Sequence, residues 1–517
     1  MNGIDGIIEA LTYNIKELGI DGVIMLLIVF GGLGYLFFKL FIQQKKTKAP
    51  TPYQVKNLPE SPYRIDLQLH PNDTLSLNNP FRGILVMGGN GSGKSESIAV
   101  PLIQQFISKG FSGLIYDYKF PELATDAESF LRAQNCDLRH FYLNLREYHK
   151  SNRINPIQPE YIPNTSYARE YSISIISNLI RESITKPDFW TRSATDLLTA
   201  CIWYLREERP EICDLPHVLA MITSPTAPLL ECLRQNPQTE QMTVSMYDAL
   251  VRGSEGQLSG VTGTLQSAIA QINTPELMYI FSGSDFDLNL NDPQNPALLT
   301  VGTFPTLAQT FAPLCSLVIT VATKLMNQPN KRPSFILIDE LPTLYVPNLE
   351  QIPNTGRSNK IATVLMMQDY AQLADAYGKD KADVLFASCN NHFYGRVASS
   401  KTAELLSRQF GKNDVAFNSV TVSSSTNASL SGGSRSSSRS TTTSIQERDV
   451  VKPSEFLNLD AGQFIGITVE SNRPQFNRRF KMAVRPVRAD LPTPPRDYLD
   501  ANDYYRQVRQ DVKDLLS

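Results

Sequence analysis

GGNGSGKS at residues 88–95 has the spacing of a phosphate-binding loop, in which a glycine is followed after four residues by Gly-Lys-Ser. The apolar run GILVMG at 83–88 predicts a buried strand before the loop, and SESIAVPLIQQFISKG at 95–110 predicts a helix after it. A strand, a loop and a helix in this order are the context that the motif requires. The alternative interpretation is a glycine turn without a function, which this context disfavours.

The phosphates of a nucleotide are the ligand that this stretch is predicted to bind. Glycines let successive backbone N–H groups turn toward phosphates, and the N-terminus of the following helix adds positive potential. Lys94 can reach the β- and γ-phosphates, and the Ser95 hydroxyl can ligate Mg²⁺. We expect ATP rather than GTP, because the sequence carries no N-K-x-D motif for reading guanine. The predicted nucleotide-binding residues are Gly88, Gly89, Asn90, Gly91, Ser92, Gly93, Lys94, Ser95 and Glu96.

A second motif is predicted to supply the metal ligand and the base. PSFILIDEL at 333–341 is a hydrophobic strand that ends in two carboxylates, Asp339 and Glu340. Ligands of open α/β sheets bind at the carboxyl ends of the strands, which is where both residues would lie. Asp339 would hold Mg²⁺ through water, and Glu340 would act as the general base for the attacking water. The alternative is a strand followed by a solvated acidic turn.

Further apolar runs predict more strands of the same sheet. One of them, IATVLMMQD at 361–369, ends in Gln368, which could sense a γ-phosphate or the water. Strands that alternate with helices predict an α/β fold, a RecA-like P-loop NTPase with a parallel-core sheet. The others are SGLIYDYK at 112–119, with Asp117 and Lys119 at its end, PALLTVGTF at 296–304, NNHFYGRV at 390–397 and two strands within 455–482.

Helical spacing of apolar residues dominates the middle of the chain and divides the predicted nucleotide-binding domain in two. We expect an all-α insertion domain at 160–260 between the parts 63–159 and 261–485, and a C-terminal tail at 486–517, where 497–516 reads as a polar helix or tail. Within the second part, 419–444 is nearly pure Ser, Thr and Gly and predicts a disordered, flexible loop. An alternative role for this loop is DNA contact through Arg435 and Arg439.

The N-terminal region predicts a membrane anchor. Residues 23–42 form an apolar stretch with one charge, long enough to cross the hydrocarbon core as a helix. The alternatives are a signal peptide or a buried core helix. Lysines in the linker 43–62 then place the segment 1–22 outside the cytoplasm and the bulk of the chain in the cytoplasm, as a single-pass protein.

Composition argues mildly against nucleic acid as a partner, because the net charge is -2, although totals can hide local basic patches. The six cysteines form no C-x-x-C pair and are expected to be free thiols. The five histidines are scattered, so we predict no metal site of cysteine and histidine.

The order and spacing of these motifs resemble the type IV coupling proteins of the TraG/TraD family, from about residue 20 to 485. Seven segments carry the resemblance: the anchor, NPFRGILVMGGNGSGKS, GLIYDYKFPELA, DFWTRSATDLLTACIWYL, FDLNLNDPQNPALLTVGTFP, FILIDELPTL and GRSNKIATVLMMQDYAQL. The resemblance implies an ATPase in the bacterial inner membrane that assembles as a homo-hexamer around a channel. It also implies recruitment of a relaxase bound to single-stranded DNA to the components of a type IV secretion channel. Members commonly have two membrane helices with a small outer domain between them, whereas this sequence predicts one.

Residue roles carry over from the resemblance onto both motifs and onto two arginines. Lys94 and Ser95 match the loop, Asp339 and Glu340 the second motif, and Gln368 a glutamine after a sheet strand. Arg357 in GRSNK and Arg82 in PFRG suit arginines that reach the γ-phosphate of a neighbouring subunit. The alternative for each arginine is a surface salt bridge.

Two functions from different classes remain open on the sequence. The first is a motor that drives single-stranded DNA and its attached protein outward. The second is an ATP-binding receptor that recruits protein substrates to a secretion channel and translocates little DNA, which the net acidity favours slightly. A chromosome-segregation translocase resembling FtsK is a third, weaker candidate, because neither several spanning helices nor a C-terminal winged-helix module is visible.

Overall fold

A nine-stranded sheet lies at the centre of the computed structural model, which describes residues 55–427, 434–494 and 500–517. The strands follow the spatial order β13-β12-β9-β3-β8-β7-β4-β6-β5, and two hairpins, β1–β2 and β10–β11, form two-stranded sheets of their own. In chain order the strands are β1 (Ile65–Leu69), β2 (Asp73–Leu77), β3 (Ile84–Met87), β4 (Ser112–Asp117), β5 (Arg139–Asn144), β6 (Ala297–Gly302), β7 (Ser334–Ile338), β8 (Ile361–Met367), β9 (Asn391–Tyr394), β10 (Lys412–Asn427), β11 (Ser434–Asp449), β12 (Gln463–Ile467) and β13 (Gln475–Arg479).

The pairing within this sheet confirms the predicted α/β fold with a parallel core. Strands β9, β3, β8, β7, β4, β6 and β5 run parallel, and β12 pairs antiparallel with both β9 and β13 at one edge. The sequence did not predict the edge strand β5 or the hairpin β1–β2. In β5 the polar His140 is buried, and its ring nitrogens bond Glu128 and Thr300, a contact that no local pattern reveals.

Both faces of the sheet are covered, so the central strands read as continuous apolar runs. Side chains alternate in β3: Ile84 and Val86 belong to one hydrophobic core with helices α1 (Val100–Ser108) and α2 (Glu122–Ala133). Leu85 and Met87 belong to the other core, with helix α10 (Ala308–Met326) and the helical insertion described below. The predicted helix after the phosphate-binding loop is present as a π-turn over Ser95–Ala99 continued by α1.

Seven helices between β5 and β6 form the helical insertion, which the sequence placed at 160–260 and which continues to Ile280. The start of helix α4 is fixed by a reciprocal capping box, which Asp188 and Thr191 form at its N-terminus. The helices are α3 (Thr165–Leu179), α4 (Phe189–Glu208), α5 (Leu215–Ile222), α6 (Thr226–Leu233), α7 (Pro237–Val251), α8 (Glu255–Ile269) and α9 (Pro275–Ile280).

The C-terminal helix packs on the helical insertion through one apolar face. Its buried residues Ala501, Val508 and Val512 follow a helical spacing, and most of the other positions are polar. The sequence predicted either a polar helix or a tail at 497–516, and the structure has a helix there. The remaining helices are α11 (Ile352–Thr355), α12 (Tyr370–Tyr377), α13 (Lys379–Ser388), α14 (Ser400–Gln409), α15 (Pro453–Leu457) and the C-terminal α16 (Ala501–Leu515).

The prediction of a flexible loop at 419–444 was wrong for the part of it that the structure describes. Strands β10 and β11 pair in an antiparallel ladder from Lys412 with Asp449 to Asn427 with Ser434. A segment of Ser and Thr cannot bury much apolar surface, which was the reason for expecting disorder. The ladder satisfies the peptide groups without a core, and Thr and Val favour the extended backbone.

The predicted anchor 23–42, with 1–22 and most of the linker 43–62, lies outside the described residues. Within them, α10 is the one helix long and apolar enough to cross a membrane, and 78% of its apolar window is buried inside the protein. Residues Val55–Ser517 form one compact unit. The boundaries of the nucleotide-binding, insertion and tail domains therefore stay a prediction.

Candidate active site at the carboxyl ends of the parallel strands

The predicted site residues follow adjacent parallel strands of the sheet. The loop 88–95 follows β3, Gln368 follows β8, and Asp339 and Glu340 follow β7. Because these strands are neighbours and run in one direction, their ends open onto a common edge. Asp117 and Lys119, at the end of the next strand β4, reach the same edge.

Close backbone packing explains the glycines of the loop. Gly91 and Gly93 have φ of +72° and +90°, which L side chains rarely adopt. A Cβ on Gly93 would lie 2.8 Å from the backbone nitrogen of Gly462, whereas a Cβ on Gly91 would meet nothing within 4 Å. The Gly462 N–H donates to the Ser92 carbonyl (2.9 Å), so the turn before β12 supports the loop.

Lys94 and the two carboxylates meet in a mostly buried environment. Lys94 Nζ donates to the carbonyl of Gly88 across the loop (2.5 Å). Burial lowers the pKa of Lys94, and the charges of Glu340 and Asp339 oppose this effect. Burial raises the pKa of Asp339 to about 8, and the charges of Asp117 and Glu340 act in the same direction. The buried carboxylates therefore depend on nearby cations to stay ionised.

Glu340 is held in an unusual backbone conformation. Its φ is +94° and its ψ is 65°, in the left-handed region, and the residue is 7% exposed. Burial raises the pKa of its carboxyl, although the charge of Lys94 and hydrogen bonds at Gln368 counteract the shift. The backbone N–H of Gln368 donates to Glu340 Oε1 (3.3 Å). A carboxyl with a raised pKa beside a strand end fits a general base.

These groups surround a cavity of about 220 Å³. The predicted residues that line it are 89–96, Asp339, Glu340 and Gln368, so the structure brings the loop and the second motif together. Gly88 is not among the residues that line the cavity, and a Cβ on it would be 2.7 Å from Ser92 Oγ. Tyr118, Lys119 and Glu122 also line the cavity and were not predicted as site residues. The position of Lys119 just beyond β4 could have indicated that it lines the site, whereas no sequence feature indicates this for Tyr118 or Glu122.

Glu96 lines the cavity, but an arginine from the C-terminal part of the chain neutralises it. The guanidinium of Arg485 donates to both carboxylate oxygens of Glu96 (2.5 and 2.9 Å) and to both of Asp126 (2.8 and 2.9 Å). The chain after β13 is thereby attached to the residue that follows Ser95. No local sequence pattern points to Arg485, since it lies 389 residues from Glu96.

Arg82 and Arg357 do not line the cavity of their own chain. Both contact Glu470: Arg82 Nε donates to Glu470 Oε1 (2.6 Å), and Arg357 Nη2 lies 3.8 Å from the same oxygen. Their side chains keep 26% and 48% of their surface exposed. Within this chain, both arginines thus form the surface salt bridge that was the alternative interpretation. Contact with the γ-phosphate of a neighbouring subunit stays a proposal.

The donor set of the cavity fits a hard cation. Ser95 supplies a hydroxyl and Asp339 a carboxylate, and oxygen ligands of this kind are those that Mg²⁺ prefers. In the part of the chain that the structure describes, no group of three or more His, Cys, Asp or Glu side chains could hold a metal ion. Magnesium commonly binds through one or two carboxylates together with phosphates, which matches a site of this composition.

Comparisons with known proteins agree with the fold. The coupling protein TraD of Escherichia coli (strain K12) is 32% identical over 106 residues, which cover 20% of this chain and 15% of TraD. A probable conjugal transfer protein TraG of Sinorhizobium fredii (strain NBRC 101917 / NGR234) is 24% identical over 306 residues, 55% of this chain and 44% of TraG. The chain thus aligns with less than half the length of either relative.

Solved structures of the bacterial conjugative coupling protein TrwB have the same fold. The unbound form of TrwBdeltaN70 superposes with a TM-score of 0.60 at 17% identity and covers 86% of this chain and 100% of its own. TrwB in complex with the ATP analogue ADPNP superposes with a TM-score of 0.60 at 18% identity, covering 80% of this chain and 88% of its own.

A family model also matches most of the chain. The model for the type IV secretory system conjugative DNA transfer family matches residues 40–481, which include the loop, the second motif, the helical insertion and the antiparallel edge of the sheet. Since this match covers most of the chain, the protein belongs to the type IV secretory system conjugative DNA transfer family, as its motifs indicated.

Proposed function

We propose that this protein is a membrane-anchored, Mg²⁺-dependent ATPase that couples a relaxase with its single-stranded DNA to a type IV secretion channel. The observation that carries the proposal is the cavity in which Lys94, Asp339, Glu340 and Gln368 converge on the phosphate-binding loop. Relatives named as coupling and conjugal transfer proteins support the biological setting. TrwB has been solved with ADPNP and with ADP and Mg²⁺, which supports the choice of nucleotide and metal.

Binding would be the task of the loop. Its backbone N–H groups and the start of the following helix attract phosphate, and Lys94 adds a positive charge that reaches the terminal phosphates. The Ser95 hydroxyl and Asp339 would hold Mg²⁺, Asp339 through water, and the ion would neutralise charge that develops on the phosphates. Lys119, which also lines the cavity, adds a second cation to the same edge.

Hydrolysis would use Glu340 as the general base. Its carboxylate takes a proton from water while the water oxygen bonds to the γ-phosphorus and the bond to the β-phosphate oxygen breaks. The raised pKa of Glu340 strengthens it as a proton acceptor. Gln368 donates its backbone N–H to Glu340 and can orient the water with its side chain.

Completion of the site by a neighbouring subunit is the part of the proposal that concerns assembly. Arg357 and Arg82 lie outside the cavity of their own chain, and in a homo-hexamer one of them would stabilise the charge on the γ-phosphate of a neighbour. The helix predicted at 23–42 would hold the ring at the membrane, with the cavity in the cytoplasm.

Hydrolysis of ATP by the full-length chain in detergent or lipid nanodiscs tests the proposal. We expect turnover that single-stranded DNA stimulates, that high salt weakens, and that Lys94→Ala and Glu340→Gln each abolish. Lys109→Ala is the matched control, because Lys109 is exposed at the end of α1. Stimulation by a secreted protein without any response to DNA would instead favour the protein-substrate receptor. The absence of turnover with and without DNA would refute the ATPase.

A further inference from the structure

The segment 340–345, which follows β7, is held by hydrogen bonds from side chains of the sheet and of the helical insertion. It begins at Glu340, whose left-handed backbone is costly for a residue with a side chain. Such a conformation persists only when the surrounding structure imposes it, and it occurs most often at functional sites. The contacts that impose it therefore identify the residues that set the position of the carboxylate.

The first of these contacts comes from within the segment. Thr343 Oγ1 donates to the backbone carbonyl of Glu340 (2.7 Å), which bridges the strained residue from its C-terminal side. Since this bond uses the only hydroxyl hydrogen of Thr343, the Tyr116 hydroxyl donates to Thr343 Oγ1 (2.9 Å). Tyr116 is fully buried in β4, so Thr343 ties Glu340 to the sheet.

The second set of contacts comes from the helical insertion. Asn178, at the end of α3 and 6% exposed, donates to the carbonyl of Tyr345 (2.7 Å) and accepts from its N–H (2.8 Å). Arg181, three residues further on, donates to the carbonyl of Thr343 (2.9 Å). The helical insertion thus contacts the segment at both Thr343 and Tyr345, next to the proposed base.

We infer that Thr343, Asn178 and Arg181 are positioning residues for Glu340, and that the helical insertion is thereby part of the hydrolytic site. The inference rests on the ATPase proposed above and extends it, because it makes turnover depend on side chains that lie outside the nucleotide cavity. A movement of α3 relative to the sheet would displace the turn that carries the base.

An isosteric pair at Thr343 tests the inference in the full-length chain. Thr343→Val removes the hydroxyl and keeps the shape, and we expect it to lower kcat at least about tenfold, since small displacements of catalytic groups are costly. The dissociation constant of a fluorescent ATP analogue should stay within about twofold, because the loop is untouched. Thr343→Ser keeps the hydroxyl and should restore most of kcat.

Variants in the helical insertion test whether this domain contributes to the positioning of Glu340. Asn178→Ala and Arg181→Ala should lower kcat with little change in nucleotide affinity, and the exposed Arg181 can be changed without opening the core. Asn155→Ala is the matched control: Asn155 also donates to a carbonyl, that of Cys213 (2.8 Å), and accepts the N–H of Ile157 (3.1 Å), away from the segment. It should affect the melting temperature at most.

The outcomes separate this inference from the proposed function. If the unmodified protein hydrolyses ATP and Thr343→Val and Arg181→Ala both keep its kcat, the positioning role is refuted and the ATPase stands. A kcat that falls in Asn155→Ala as much as in Asn178→Ala would also refute it, because general destabilisation would then explain the loss. If the unmodified protein does not hydrolyse ATP, the ATPase is refuted and this inference with it.

Discussion

At the scale of single residues, the candidate site combines several buried carboxyl groups with few cations. Burial raises the pKa of Asp117 to about 7 and that of Asp339 to about 8, and the same effect raises the pKa of Glu340. Buried carboxylates of this kind stay charged only when cations lie nearby, and Lys94 is the cation that the loop supplies. The cluster is therefore suited to bind a divalent cation together with anionic phosphates.

Two glycines of the loop should respond differently to the same substitution. Gly91→Ala places a methyl group in open space and incurs only the backbone cost of a positive φ, roughly 1–2 kcal/mol. Gly93→Ala adds a collision with the backbone nitrogen of Gly462, 2.8 Å away, which cannot move without disturbing β12. Titration with a fluorescent ATP analogue should show at least about tenfold weaker binding for Gly93→Ala than for Gly91→Ala. Equal affinities would contradict the packing of the loop on the turn before β12.

At the scale of elements, the C-terminal helix α16 is attached to the helical insertion through a buried histidine. His217 Nδ1 lies 2.6 Å from Asp214 Oδ1, and Nε2 lies 3.6 Å from Asp511 Oδ2 on α16. The Tyr504 hydroxyl donates to Asp214 Oδ2 (3.2 Å). Burial lowers the pKa of His217, but the hydrogen bond to Asp214 and the charges of Asp214 and Asp511 outweigh this effect, so the pKa lies above its usual 6.5.

This histidine predicts a pH dependence for the docking of α16. A pKa raised by folding stabilises the folded state fully below the unfolded value of about 6.5 and loses this contribution as the pH rises through the folded value. Hydrogen-exchange protection of the α16 amides, corrected for intrinsic rates, should therefore decrease above about pH 6.5. His217→Gln should show lower protection with a flat profile over the same range. A variant that keeps the slope of the unmodified protein would show that another group is responsible.

The hairpin β10–β11 is a separate element whose removal should be tolerated. Among the described strands, the two pair only with each other, and side chains such as Val422 and Ile445 are exposed. Replacing residues 415–446 by a short Gly-Ser linker should shift the melting temperature by less than about 2 °C and leave nucleotide affinity unchanged. Differential scanning fluorimetry and a nucleotide titration measure both. A large decrease in the melting temperature or in the nucleotide affinity would mean that the hairpin supports the sheet.

At the scale of the whole molecule, the proposed assembly requires an arginine of one chain to complete the site of another. Members of the family act in conjugative DNA transfer, and the chain shares the fold of TrwB. In this chain Arg82 and Arg357 are held near Glu470 and away from the cavity, with part of their surface exposed. An exposed cation held by one carboxylate can be released to a stronger anion on a neighbouring subunit.

Mixing of inactive variants tests whether Arg357 acts between subunits. Arg357→Ala and Glu340→Gln should each lower kcat at least about tenfold while binding nucleotide normally. An assembly that contains both has interfaces where an intact Glu340 meets an intact Arg357, so the mixture should recover part of the activity. Arg252→Ala is the control, because Arg252 is also exposed and lies 3.6 Å from Asp248 on α7. A mixture that stays inactive would place the role of Arg357 within its own subunit.

The sequence alone determined the local parts of the protein: the loop at 88–95, the carboxylates after β7, the glutamine after β8 and the apolar strands between helices. These features are readable because the spacing and the periodicity that encode them act within a few residues. Only the tertiary structure decided the left-handed Glu340, the hydrogen bonds of Asn178 with Tyr345 in the same segment, the edge strand β5, the ladder of β10 with β11 and the attachment of Glu96 to Arg485. Apart from the ladder, whose two strands are consecutive, these features depend on groups brought together from distant parts of the chain. The gain on contact then outweighs the local preference of each segment.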